Sequence, residues 1–229
     1  MKQTIGLLFL SLLLLKCESN SAEQAAPTVS IFDQVRQLPD SISAEGIVVY
    51  NLFKYQILAH ENAKYDSLLI VKNVYETHQE IWDELYAVLF NQEMFSTPEG
   101  MMAWNKQLFL EQRDTIESKV NQLLGANFTQ KLNEAITNLE MLTGRTPENV
   151  RLSIILAPFM GIGFGGITND AFIMDLLDPN FDVLNMVVEG IPHELNHFIY
   201  DPTRKDDPHK DTPLRLTIDE GFACYYTYK

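Results

Sequence analysis

The stretch Ile191-Pro192-His193-Glu194-Leu195-Asn196-His197-Phe198-Ile199 decides how this chain of 229 residues is read. It sets two histidines four positions apart with a glutamate directly after the first, the H-E-x-x-H pattern. Residues four apart lie one above the other on a helix, so His193 and His197 can grip one ion from the same face. Glu194 is offset around that helix. It can hydrogen-bond a water at the ion without taking a coordination position, and so serve as general base. In a chain with five histidines, chance produces the pattern in about one such sequence in a hundred. The competing reading is two helix histidines satisfied by ordinary hydrogen bonds. Against it stand Val183, Val187, Val188 and Ile191, which bury the helix, because burying two histidines and a glutamate without partners is costly. Asn180 is the expected cap of this helix, and Pro192, with no amide donor, is expected to kink or restart it.

A catalytic zinc keeps three protein ligands and one open position, so a third ligand must come from elsewhere. The H-E-x-x-H-x-x-G-x-x-H arrangement is excluded, since Tyr200 and Thr203 stand at the glycine and third-histidine positions. A Pro- and Asp-rich loop, 201–213, contains His209 and leads to an apolar-periodic stretch from Leu214 to Tyr228. Within that stretch lies Asp219-Glu220-Gly221-Phe222-Ala223.

This pair of motifs resembles the gluzincin class of zinc metallopeptidases, including exported members, over about residues 150–229. In that class a glutamate, often followed by Gly-x-Ala on a second helix, completes the metal site. The resemblance therefore implies zinc held by His193, His197 and Glu220, with Glu194 as catalytic base, and close packing of two helices at Gly221 and Ala223. It also implies a substrate-holding edge strand above the metal, for which Gly161 to Thr168 is the candidate. A Tyr or His stabilises the oxyanion in such enzymes, and Tyr200, His209, Tyr225 and Tyr226 are all candidates. Asp219 is a candidate second partner for a ligand histidine, and Cys224, if buried beside Glu220, reads as a small apolar side chain.

Residues 161–167, Gly-Ile-Gly-Phe-Gly-Gly-Ile, formally match a dinucleotide-binding G-x-G-x-x-G. Thr168-Asn169-Asp170 and another apolar run follow where that fingerprint needs a helix, so a bent hairpin or edge strand is expected. Val150 to Ala157, β-branched and bounded by Pro158, reads as a strand. From Ile31 to Gly144 the pattern is helical throughout. Ile70, Val74, Ile81, Leu85 and Val88 form one stripe; Thr97-Pro98 opens a helix that stops near Gly125; Asn127 caps the next, and Gly144 ends it. His60 and His78 lie in polar contexts and read as surface residues.

The net charge of −14 excludes a nucleic-acid partner, which requires neutralised phosphates. Two cysteines are too few for a disulfide framework or a thiolate zinc cluster, leaving His and carboxylate as metal ligands. The apolar run Ile5 to Leu15 has the length of a signal-peptide core and is too short to span a membrane. Cys17 directly after it, followed by a polar stretch to Ser30, resembles a bacterial lipoprotein signal, which implies export and a lipid anchor at Cys17. A cleaved, soluble exported protein is the alternative.

The expected chain is thus an α+β, predominantly helical protein with a zincin-like domain built from a small sheet and two metal-bearing helices. Residues 1–16 form a signal peptide, 17–30 a tether, 31–145 a helical region and 146–229 the metal-binding region. The expected activity is hydrolysis of peptide or protein substrates, with the membrane met only through the anchor. The alternative is a non-catalytic exported lipoprotein that keeps the scaffold as a binding module, favoured by a chain end at Lys229, soon after Glu220.

Overall fold

A computed structural model describes residues 29–89, 91–157, 170–178, 182–200, 203 and 206–227. The expected leader, most of the expected tether, the glycine-rich segment 161–167 and Asn180 lie outside these residues. The described chain is α+β and mostly helical, with a four-stranded sheet in the order β1-β2-β3-β4. No helix among the described residues is long and apolar enough to cross a membrane.

The first correction to the sequence reading falls within the region expected to be wholly helical. After α1 (Ile31–Arg36), β1 (Ser41–Ala44) and β2 (Ile47–Asn51) form an antiparallel hairpin with Ala44 opposite Ile47. Ile47-Val48-Val49-Tyr50 is β-branched and aromatic, and alternate positions Ile47, Val49 and Asn51 are buried, which favours a strand over a helix. Gly46 makes the turn. Its φ of 73° is left-handed, and a Cβ there would collide with the carbonyl oxygen of Pro147. The Gly46 carbonyl also accepts the Val150 amide at 2.9 Å, which starts β3 (Val150–Ile155) in register beside β2.

β2, β3 and β4 (Ala171–Asp175) run parallel. Alternation sends Ile47, Val49, Leu152, Ile154, Phe172 and Met174 into one core, while Ile155 and Ile173 enter a second core on the opposite face. Such strands are buried on both faces, which is why β3 and β4 read as nearly continuous apolar runs.

Between β2 and β3 come α2 (Leu52–Leu58), α3 (Ser67–Ile70), α4 (Pro98–Gly125) and α5 (Phe128–Thr143). The Thr97 hydroxyl accepts the Gly100 amide, with Pro98 at the first helical position, as the sequence anticipates. Gly144 ends α5 at φ 68°. Asn127 occupies the cap of α5, but in a left-handed conformation and without a side-chain cap bond. The stripe from Ile70 to Val88 is not one α-helix. Wide π-helical turns at Val71–Tyr75 and Ile81–Leu89 flank a short 3-10 turn, so that Ile70, Val74, Ile81 and Leu85 are buried and Val88 is exposed. Hydrogen bonds to the fifth residue rather than the fourth shift the facing of each successive turn.

The second half of the sheet leads into the helices that carry the histidines. α6 (Val183–Asn185) is capped by Asp182, whose carboxylate accepts the Asn185 amide at 2.8 Å. A π-helical turn, Met186–Gly190, joins it to α7 (Ile191–Tyr200). Pro192 explains that turn: it has no N–H to donate, and its ring would clash with the carbonyl four residues back in an unbroken α-helix. α8 (Pro213–Thr227) then packs against α7.

Candidate metal centre

α7 turns Ile191, Leu195 and Ile199 into the core beside β4, where Phe172 meets Phe198 with ring centroids 5.6 Å apart. At about 100° per residue, His193 and His197 then leave the opposite side of the helix. That side faces α8, and Glu220 of α8 meets both rings. One oxygen of its carboxylate lies 3.2 Å from His193 Nε2 and the other 3.5 Å from His197 Nε2, while the two Nε2 atoms are 3.4 Å apart. His193, His197 and Glu220 are therefore a group that could hold a metal ion.

The size of this triangle tests the fit. Ligands at 2.0–2.1 Å on a tetrahedral ion stand about 3.3–3.4 Å from one another. The 3.4 Å between the two imidazole nitrogens matches that value, and each of the two carboxylate oxygens of Glu220 stands at a similar distance from one of those nitrogens. The imidazoles are largely covered, at 22% and 16% side-chain exposure, whereas Glu220 is 61% exposed, so the triangle is open to solvent on the α8 side. Burial, and secondarily the neighbouring His197, hold the His193 imidazole below its ordinary pKa, while Glu220 opposes the shift. A neutral ring offers the lone pair that a metal needs.

Glu194 is half-buried on α7, one residue around from His193. Of the oxyanion candidates, Tyr200 and Tyr226 are joined, hydroxyl to hydroxyl, at 3.2 Å, with their rings stacked at 5.9 Å. Tyr225 is exposed and packs edge-on against Tyr226. His209 is exposed in its loop, where its amide donates to the Asp207 carboxylate. Asp219 pairs with Arg215 at 3.4 Å, and Arg215 also reaches Asp207 at 3.6 Å, which ties the loop after α7 to α8.

Four sequence expectations change here. Cys224 is exposed, not a buried apolar filler, and its sulfur lies 3.9 Å from His193 Nδ1. Ala223 is fully buried, whereas a Cβ at Gly221 would meet nothing, so only Ala223 serves the helix packing. His78 is buried, edge-on to Tyr50, with burial pushing its pKa down to about 4. His60 stacks on Phe109 and lies 3.2 Å from the Asn105 side-chain oxygen. Both histidines had apolar or aromatic partners distant in sequence, invisible to a local reading. Cys224 had a signal: it stands four residues after Glu220 and so shares its helix face.

No family model matches this chain, and comparison with curated proteins and with solved structures gave no match.

Proposed function

We propose that this chain is an exported zinc-dependent peptidase of the gluzincin type. The observation that carries the reading is the convergence of His193, His197 and Glu220 from two helices at separations of 3.2–3.5 Å. Two imidazoles and a carboxylate, with a fourth position left open, suit a catalytic zinc. The H-E-x-x-H sequence adds a carboxylate beside the ligands that is not itself one of them.

Zinc bound there supplies Lewis acidity, which polarises a peptide carbonyl and lowers the pKa of a water. The protein's own part is positional and acid–base. His193 and His197 are held by α7, whose opposite face is fixed in the core, and Glu220 is brought to them by α8. Glu194 accepts a proton from the attacking water and delivers it to the departing amine. The hydroxyls of Tyr200 and Tyr226 are paired across the two helices, and they are the candidates for steadying the developing oxyanion. The apolar run Ile5 to Leu15 followed by Cys17 supports export with a lipid anchor at Cys17, and the acidic charge argues for protein rather than nucleic-acid substrates.

The test is peptide-library hydrolysis alongside metal analysis. The zinc-loaded protein is expected to cleave, and Glu194→Gln to retain about one zinc per chain while losing turnover by at least about a hundredfold. Retained hydrolysis in a folded, zinc-loaded Glu194→Gln protein sinks the assignment of Glu194. Absence of hydrolysis in the zinc-loaded parent favours a binding module.

A further inference from the structure

Cys224 is the side chain that the proposed chemistry leaves without a use, and its place is specific. A neutral imidazole that offers a lone pair at Nε2 carries its proton on Nδ1. Because His193 Nε2 belongs to the donor triangle, His193 Nδ1 is left as a hydrogen-bond donor that needs an acceptor. In metal sites that acceptor is usually a carboxylate, a backbone carbonyl or a water, and it fixes both the tautomer and the ring orientation. Here the atom at His193 Nδ1 is the Cys224 sulfur, 3.9 Å away. The acid nearest to it in the motif, Asp219, is engaged with Arg215 instead.

We propose that Cys224 is a positioning residue of the metal centre: its sulfur accepts from His193 Nδ1 and holds the ring with Nε2 turned to the ion. The inference rests on the metal-binding part of the reading above and not on the peptidase chemistry. Glu220 and Cys224 lie one helical turn apart, so a single face of α8 supplies both a ligand and the partner of a ligand on α7. A shift of α8 along α7 would then disturb two of the three donors at once. Nδ1 and Nε2 point to different sides of the imidazole, so the sulfur stands behind the His193 ring rather than in the donor triangle.

The experiment compares the parent chain with Cys224→Ala and Cys224→Ser, using chelator competition for Zn(II) and Co(II) affinity and the absorption spectrum of the Co(II) forms. Cys224→Ala is expected to weaken both metals by about 10–100-fold, with the metal-free thermal midpoint unchanged because the residue is exposed. Cys224→Ser keeps a hydrogen-bonding atom on the same Cβ and is expected to fall between the two. The Co(II) parent is expected to lack a sulfur-to-cobalt charge-transfer band. Unchanged affinity in Cys224→Ala overturns the proposal while leaving the metal centre standing. A charge-transfer band in the parent that disappears in Cys224→Ala makes the sulfur a ligand and overturns it as well. A parent that binds neither metal removes the centre and this proposal together.

Discussion

His193 Nε2 and a Glu220 oxygen face each other at 3.2 Å across the contact between α7 and α8. The two residues are remote in sequence, and the carboxylate is the more exposed partner. A contact between a neutral imidazole and a largely exposed carboxylate contributes little to folding by itself. The value of the arrangement lies in binding, since an ion seated among the three donors would tie α8 to α7.

That tie predicts a thermal signature. Zinc at a hundredfold excess over its dissociation constant stabilises a native state by about 2.7 kcal/mol. For a chain of this size that is a rise of about 5–10 °C in the unfolding midpoint. The shift should vanish in His193→Ala and in Glu220→Ala, and chelator should reverse it in the parent. A zinc-induced rise of the same size in Glu220→Ala would show that the third ligand lies elsewhere.

A second prediction concerns pH and two buried groups that are not members of the His193, His197 and Glu220 group. Asp175 is fully buried and accepts the Ala157 and Leu177 amides on one oxygen, and burial raises its pKa from 3.8 to about 8. Between those values the folded state holds a proton that the unfolded chain has lost, so this group makes stability fall as pH rises. His78 acts in the opposite sense. Its pKa is lowered by burial from 6.5 to about 4, so the unfolded chain holds the extra proton and stability rises with pH across that window. The two slopes oppose each other between about pH 4 and 6.5, and only the Asp175 slope survives from there to about pH 8. Each contributes at most about 1.4 kcal/mol per pH unit. Urea midpoints across pH should show Asp175→Asn gaining on the parent from pH 6.5 to 8. His78→Gln should gain on the parent as pH falls from 6.5 to 4. Parallel pH curves for parent and variant would refute the assigned protonation state.

The hairpin turn gives a third prediction. Gly46 combines a left-handed φ with backbone packed where a side chain would begin. Gly46→Ala is expected to lose about 1–3 kcal/mol, from the conformation and from displacement of Pro147. Chemical denaturation measures this. A loss below about 0.5 kcal/mol would mean that the turn relaxes freely.

The sequence announced the histidine-bearing helix more clearly than the sheet. His193 and His197 form a local pattern on one helix, and Thr97-Pro98 and Gly144 mark helix ends by chemistry that acts within four residues. The β1–β2 hairpin was hidden because its strands are four and five residues long, between helices, and because the partner that fixes β2 is Val150, about a hundred residues on. The place of Glu220 beside the two histidines was legible only through resemblance to a class, since no spacing rule joins it to His197. Cys224 shows the opposite case: its helix spacing from Glu220 was present in the sequence, but the atom it would meet, His193 Nδ1, exists only once α7 and α8 are packed.

The end of β3 supplies the last prediction. Gln56 on α2 is fully buried, and its side-chain amide makes two bonds to the backbone of Leu156, donating to the carbonyl and accepting from the amide, each at 2.8 Å. This pair holds the chain where it leaves the strand, in the place a further ladder partner would occupy. Gln56→Leu fills the volume but leaves a buried N–H without its acceptor and removes a donor from the carbonyl, which should cost about 2–4 kcal/mol. The metal triangle lies on other elements, so zinc stoichiometry in the folded variant is expected to match the parent. Denaturant titration with metal analysis on the same samples separates the two effects. A variant that folds at full stability would show that the Leu156 backbone finds another partner, and one that folds but loses zinc would show that the strand end and α7 are coupled more tightly than their packing implies.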